Sequence, residues 1–269
     1  MTSWMYGIEF LHLSDIHIPD TRGEIWKTVD PCKKLEKLIE HIKQLELKPK
    51  FTVITGDISN TGTNQSYKLA EKYISDISDL GGPVFPTMGT KDDRANFREI
   101  LLRNISLPDD EYCYYSYTTD MLQVIIMDSH TPGSNIGSFA SRQLDWLEKE
   151  LENRNELPAI IAFHEPVFFF GEAGVFNKVD ALRFREVISR GNVLAVLNGH
   201  LHCPFVTVID GVYYIQAGSP LWENSYRMGW YQSYDSSSFN LLWYGGENLS
   251  IRPIGFSDEV KVFRKIIET

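Results

Sequence analysis

Six residues stand out for the chemistry that their types and positions allow: Asp15, His17, Asp57, His164, His200 and His202. Asp15 and His17 are two apart, as are His200 and His202, so in extended chain each pair points to one side. Two carboxylates and four imidazoles combine hard oxygen with borderline nitrogen donors, a mixture that suits Mn, Fe, Zn or Co better than Ca or Mg alone. The set exceeds what one tetrahedral ion needs, and a carboxylate can bridge. Two ions held close together are an arrangement used to hydrolyse phosphoesters: the pair acidifies a bound water, holds the phosphoryl oxygens and neutralises the charge of an in-line displacement. A lone His after a strand is more often structural; six such residues at four strand ends are hard to explain that way.

These side chains need a scaffold that ends several strands at one edge. Strand-like and helix-like segments alternate through the first two hundred residues, the pattern of an α/β domain. Residues 8–13 read as a strand running into Ser14-Asp15-Ile16-His17. Asp30-Pro31 then supplies an N-cap and an N1 proline for a helix with an apolar stripe of Leu35, Leu38, Ile39, Ile42 and Leu45. A strand at 51–54 precedes Gly56-Asp57, followed by a helix over 65–80, a strand at 84–85 and a helix over 93–103. Buried strands at 124–127 and 159–163 flank a helix carrying Leu144, Leu147 and Leu151, and the second of them ends in His164-Glu165-Pro166. The strand at 193–197 runs into Asn198-Gly199-His200-Leu201-His202. All six candidate ligands thus lie just past strand ends, where open α/β sheets place their functional groups. After residue 203 the helices stop, and 205–209, 212–216, 239–244 and 249–253 read as short strands with turns at Asp210-Gly211 and Gly245-Gly246. That pattern predicts a second, mainly antiparallel sheet packed on the first, within a single domain over 1–269.

In chain order, Asp15-Ile16-His17, Gly56-Asp57, Gly89-Thr90-Lys91-Asp92, His164 and Gly199-His200-Leu201-His202 resemble the series D-x-H, G-D, G-N-H-[DE], H and G-H-x-H of the calcineurin-like metallophosphoesterases. Leu13-Ser14, Gly62, Tyr67, Asp92-Asp93-Arg94, Asp128-Ser129 and Leu144-Asp145-Trp146-Leu147 are similar to the bacterial class III cyclic-nucleotide phosphodiesterase and glycerophosphodiesterase branch. The resemblance covers residues 13–204. It implies a sandwich of two mixed β-sheets flanked by helices, and two divalent transition-metal ions, Mn, Fe or Zn. It implies a first metal site of Asp15, His17, His202 and a bridging Asp57, and a second of Asp57, His164, His200 and the Asn of the third motif. It implies a metal-dependent phosphoesterase acting through activated water on a small substrate, a cyclic nucleotide or a glycerophosphodiester.

The third motif departs from that pattern. The Asn position is Thr90, a shorter and weaker oxygen donor, so the second ion is expected to bind weakly, through a water, or not at all. The His position near the leaving group is Lys91, whose charge repels a second cation and attracts a phosphate oxygen; Lys91 and Asp92 are the candidate catalytic residues. Glu165 stands where relatives often carry a second His. A second reading therefore remains open at this stage: a divergent metal-binding protein that has lost hydrolysis, or one that runs a different metal-dependent reaction.

Thirty-six acidic side chains against 26 basic ones give a formal charge of −10, which excludes broad nucleic-acid coating but not one phosphate at a local positive site. Three Cys with no CxxC spacing argue for reduced thiols and a cytoplasmic protein; Cys203 reads as a small buried hydrophobe. The N-terminus shows no signal-peptide run, and no apolar stretch is long enough to span a membrane. The apolar loop 166–178 reads as a lid, a subunit contact or ordinary packing, and Trp222, Tyr226, Trp230, Tyr231 and Tyr234 as core, interface or base-stacking surface, which leaves a homo-oligomer open. His12 and His41 match no motif, and His130, which follows Asp128-Ser129 toward the expected pocket, is assigned no role.

Overall fold

Alternation of buried side chains sorts the strands into layers. In the computed structural model, which describes residues 7–168, 175–227, 230–246, 248–256 and 262–267, two large mixed sheets face each other. The first carries β1 (Ile8–Leu13), β2 (Thr52–Thr55), β3 (Val84–Thr87), β12 (Ser238–Tyr244) and β13 (Leu249–Gly255), in the order β13-β12-β1-β2-β3. The second carries β4 (Tyr115–Thr118), β5 (Gln123–Ile126), β6 (Ala159–Ala162), β7 (Val193–Asn198), β8 (Phe205–Ile209) and β9 (Val212–Gln216), in the order β4-β5-β6-β7-β9-β8. Val124, Ile126, Ile160, Ala162, Ala195 and Leu197 share one core with the first sheet. Their odd-even neighbours Ile125, Ile161 and Val196 pack with Leu144, Leu147 and Leu151 of α4 (Ser141–Asn153) and Phe184, Val187 and Ile188 of α5 (Lys178–Ile188). This period-two split is what a sheet buried on both faces requires.

The first sheet is joined by α1 (Pro31–Gln44), α2 (Asn64–Ser78) and α3 (Arg94–Leu101). Each starts on a side-chain cap: Asp30 accepts from Lys33 N–H, Thr63 from Ser66 N–H and Asp93 from Asn96 N–H. The expected stripe on α1 is buried at Leu35, Leu38, Ile39 and Ile42, while Leu45 is exposed beyond the helix end.

The strands expected at 205–209, 212–216, 239–244 and 249–253 do not form a second sheet of their own but join the two large ones. β12 pairs antiparallel with β1, with Phe10 opposite Leu242, and β9 pairs parallel with β7, so the late strands cover edges that the two parallel cores would otherwise expose. A small antiparallel sheet is made by β10 (Glu223–Arg227), β11 (Trp230–Tyr234) and β14 (Val262–Ile267). Among the described residues no helix is long and apolar enough to cross a membrane.

Candidate metal centre

β1 runs parallel to β2 in the first sheet and β6 parallel to β7 in the second, and the carboxyl ends of these four strands deliver the six candidate ligands to one seam between the sheets. Asp15, His17 and Asp57 come from the first sheet, His164, His200 and His202 from the second. Asp15, His17 and His202 place ligand atoms within 4.8 Å of one another, and so do Asp15, Asp57 and His164. The Asp15 carboxylate is common to both groups, while Asp57 spans them: its Oδ2 lies 3.5 Å from His17 Nε2 and its Oδ1 lies 3.5 Å from His164 Nε2.

Backbone and neighbours hold this geometry under strain. Asp15, His17, Asp57, His200 and His202 all have positive φ, between 42° and 73°, a region uncommon for residues other than glycine. Gly56 is forced as well, because a Cβ there would meet the His164 ring at 2.5 Å. At Gly199 a Cβ would land on Ser14 Oγ. The Asp15 Oδ2 accepts from Ser14 Oγ at 2.5 Å and from His200 N–H at 2.9 Å. His164 Nδ1–H donates to the Thr55 carbonyl at 2.7 Å and His202 Nδ1–H to the Trp222 carbonyl at 3.2 Å, so in each ring Nε2 is turned to the carboxylates.

The donor set fits a metal. Asp15 Oδ1 and both His17 ring nitrogens are buried with no hydrogen-bond partner, an arrangement that is costly unless something else satisfies them. Burial alone would push the Asp15 carboxyl up, but His202 and His164 hold it well below the usual range. Burial would lower His164, yet Asp57 and Asp15 lift it to about 9. His17 goes the other way, lowered by burial that Asp57 only partly offsets. His200, lowered to about 4 by burial and then by repulsion from His164, sets its Nδ1 3.3 Å from His164 Nε2. It lies beside the second group without sharing its 4.8 Å cluster.

The divergent third motif closes over Asp57. Thr90 Oγ1 donates to Asp57 Oδ2 at 3.1 Å, and Lys91 N–H donates to Oδ1 at 2.7 Å. The Lys91 side chain is exposed. Asp92, expected among the catalytic residues, is engaged by the surrounding loops: its buried carboxylate accepts from Ile58 N–H, Ser59 N–H, Gly89 N–H and Tyr67 Oη at 2.8–3.1 Å. That ties the loop after β2 to the loop after β3, and burial followed by the Asp57 charge raises Asp92 to about 7. Glu165 is buried, accepts from Ser129 Oγ at 2.5 Å, and leaves Oε1 without a hydrogen-bond partner. Cys203 belongs to neither ligand group, and burial raises its thiol to about 11. Of the loop 166–178, residues 169–174 lie outside the described residues; Phe168 packs on Tyr214, and Phe176 on Phe139 and Phe163. Of the aromatic set, Trp222 stacks on His202 at 4.6 Å and Tyr226 donates to the Leu201 carbonyl, whereas the side chains of Trp230 and Tyr231 lie outside the described set.

Sequence reasoning had no signal for three contributors: the Thr55 and Trp222 carbonyls that orient His164 and His202, and Trp26, whose ring lies 4.1 Å from His17. Ser14 was visible only as a flank of the first motif. His130 is buried beside the site, with its carbonyl accepting from Arg94 at 2.7 Å.

Two carboxylates and three imidazoles, with His200 beside them, gather at the seam of two mixed sheets as a donor set that suits divalent metal ions. The calcineurin-like phosphoesterase profile matches residues 8–204, and the chain belongs to that family, hydrolases of phosphoester bonds. The chain is 31% identical over 205 residues to a probable cyclic nucleotide phosphodiesterase of Rhodococcus erythropolis, covering 75% of this chain and 67% of that protein. It is 26% identical over 214 residues to a probable glycerophosphodiester phosphodiesterase of Arcobacter nitrofigilis, covering 78% and 77%. A dimetal phosphatase from Danio rerio has the same fold, with a TM-score of 0.66 at 14% identity over 94% of this chain and 100% of that one.

Proposed function

We propose that the chain hydrolyses small phosphodiesters of the cyclic-nucleotide or glycerophosphodiester type. The observation that carries the reading is the buried cluster of ligand atoms, with Asp15 Oδ1 and both His17 nitrogens left unsatisfied at the meeting of two sheets. Asp15, His17 and His202 would hold one divalent transition-metal ion, and Asp57, His164 and His200 a second, with Asp57 bridging. Bound there, such ions supply an acidified water and positive charge for the phosphoryl oxygens. The chain's own groups do the rest. Thr55 and Trp222 carbonyls fix the tautomers of His164 and His202, and Thr90 orients Asp57. Lys91, exposed and tied to Asp57 through its backbone N–H, would draw in a phosphate oxygen or protonate a departing alcohol. We assign Asp92 to positioning, since its four hydrogen bonds leave it no face toward substrate.

Thr90 also favours a weakened second ion, and with it the second reading of a divergent metal-binding protein that has lost hydrolysis or runs a different metal-dependent reaction, because its hydroxyl donates to the Asp57 carboxylate where an Asn would offer an amide carbonyl. Protein loaded with Mn, Fe or Zn is expected to turn over bis(p-nitrophenyl) phosphate and a cyclic nucleotide well above the metal-only rate; a rate at that background overturns the proposal. Thr90→Asn with Lys91→His, compared by metal content per chain and turnover, separates the readings. A rise in both marks the native second site as weakened, and a fall in turnover makes Lys91 a working group.

A further inference from the structure

At one edge of the metal centre the chain lays a cation of its own on two indole rings. Trp26 lies in the segment between β1 and α1 and Trp222 in the segment after β9, yet their rings meet with centroids 4.8 Å apart. The Lys27 Nζ lies 4.8 Å from the Trp26 centroid and 4.3 Å from that of Trp222. Both rings are continuous with the ligand set, Trp26 against His17 at 4.1 Å and Trp222 against His202 at 4.6 Å.

The angle between the rings decides what they suit. At 52° the two faces form a V, which offers no parallel slot for a flat nucleobase. Two converging π faces do concentrate negative potential at one point, and that suits a compact cation. The occupant is held in an unusual way. Lys27 has φ of 56°, a conformation that glycine takes with less strain, and its side chain is exposed.

We propose that Trp26 and Trp222 form an ammonium subsite for the alcohol half of the substrate, with Lys27 as a displaceable placeholder. The substrate class is then a phosphodiester whose alcohol carries a quaternary or primary ammonium, its phosphate at the metal centre and its cation in the V. This rests on the hydrolase reading for the phosphate position. The chain's formal charge of −10 favours a zwitterionic diester over one with further negative charge.

Lys27→Gly relieves the left-handed strain and vacates the V, and so provides the test. With metal-loaded protein, tetramethylammonium chloride is titrated against sodium chloride of equal ionic strength and followed by tryptophan fluorescence. Lys27→Gly is expected to bind tetramethylammonium about three- to thirtyfold more tightly than the parent, and Trp26→Phe in that background to lose most of the gain. The ratio of kcat/KM for glycerophosphocholine over glycerophosphoglycerol is expected to rise in Lys27→Gly by a similar factor. Equal tetramethylammonium binding by parent and variant overturns the subsite, as does an equal fall of kcat/KM for both diesters, which would make Lys27 a phosphate ligand. Tetramethylammonium binding with no turnover of any diester leaves the subsite standing and removes the hydrolase reading. Turnover without that binding does the reverse.

Discussion

His12 matches no motif, yet its burial has a measurable effect. Its ring is enclosed between Thr55 Oγ1 at 2.9 Å and the Asn240 amide at 3.4 Å, and Thr55 passes its own hydroxyl proton to the Leu13 carbonyl. That network suits the neutral ring, and burial lowers its pKa to about 3. Above pH 6.5 the ring is neutral folded or unfolded, so it adds no pH dependence. Between 6.5 and 3 only the unfolded chain takes the proton, and stability falls with pH by up to about 1.4 kcal/mol per unit. His12→Gln is expected to flatten the slope by about one proton in urea unfolding at pH 7 and pH 5. An unchanged slope would contradict this. Residue types at strand ends made the candidate ligands legible in the sequence, because Asp and His there serve few other purposes. Asp92 was legible as part of a motif, but its role depends on four donors contributed by loops that fold onto it. Trp26 and Lys27 gave no signal at all, since their contacts exist only once two distant loops meet.

Among the elements, α3 and the loop after β5 are joined by one buried ion pair. Arg94 donates through Nε at 2.8 Å and Nη2 at 3.2 Å to Asp128, which is fully buried and also accepts from Cys113 and His130 N–H groups. Arg94→Met leaves that carboxylate buried without its counter-charge and should destabilise the fold by about 3 kcal/mol, read from the midpoint of urea unfolding. A loss under about 1 kcal/mol would show that the backbone donors suffice. The alternation of strand and helix up to residue 200 was readable because buried parallel strands are continuous apolar runs. α5 was not, because Val179 and Leu182 are exposed while Phe184, Val187 and Ile188 are buried, which blurs the helical period. β4 escaped for a related reason: at the edge of its sheet, Ser116 and Tyr117 are exposed. Which sheet edge each C-terminal strand joins is a matter of long-range pairing, about which local pattern carries no information.

Across the whole molecule the candidate metal centre is a seam, with three candidate ligands from each sheet. An ion bound there would fasten the two halves of the sandwich, and by linkage should stabilise the folded chain by about 4 kcal/mol at a thousandfold excess over its Kd. Stripping with a chelator is expected to lower the melting temperature by roughly 10 °C, with recovery on adding back Mn or Zn. A melting point indifferent to chelator would mean that the sheets are held without the ions. The five candidate ligands with left-handed backbone give this a further turn. His200 is only partly buried, has φ of 73° and faces His164, so His200→Asn should let the stripped protein melt about 1–3 °C higher than the stripped parent while losing part of the rise that metal brings. The working end of this molecule is kept by the rest of the fold against its own local preference. Without selection for activity, drift toward an easier backbone would erase the ligands before it touched the core.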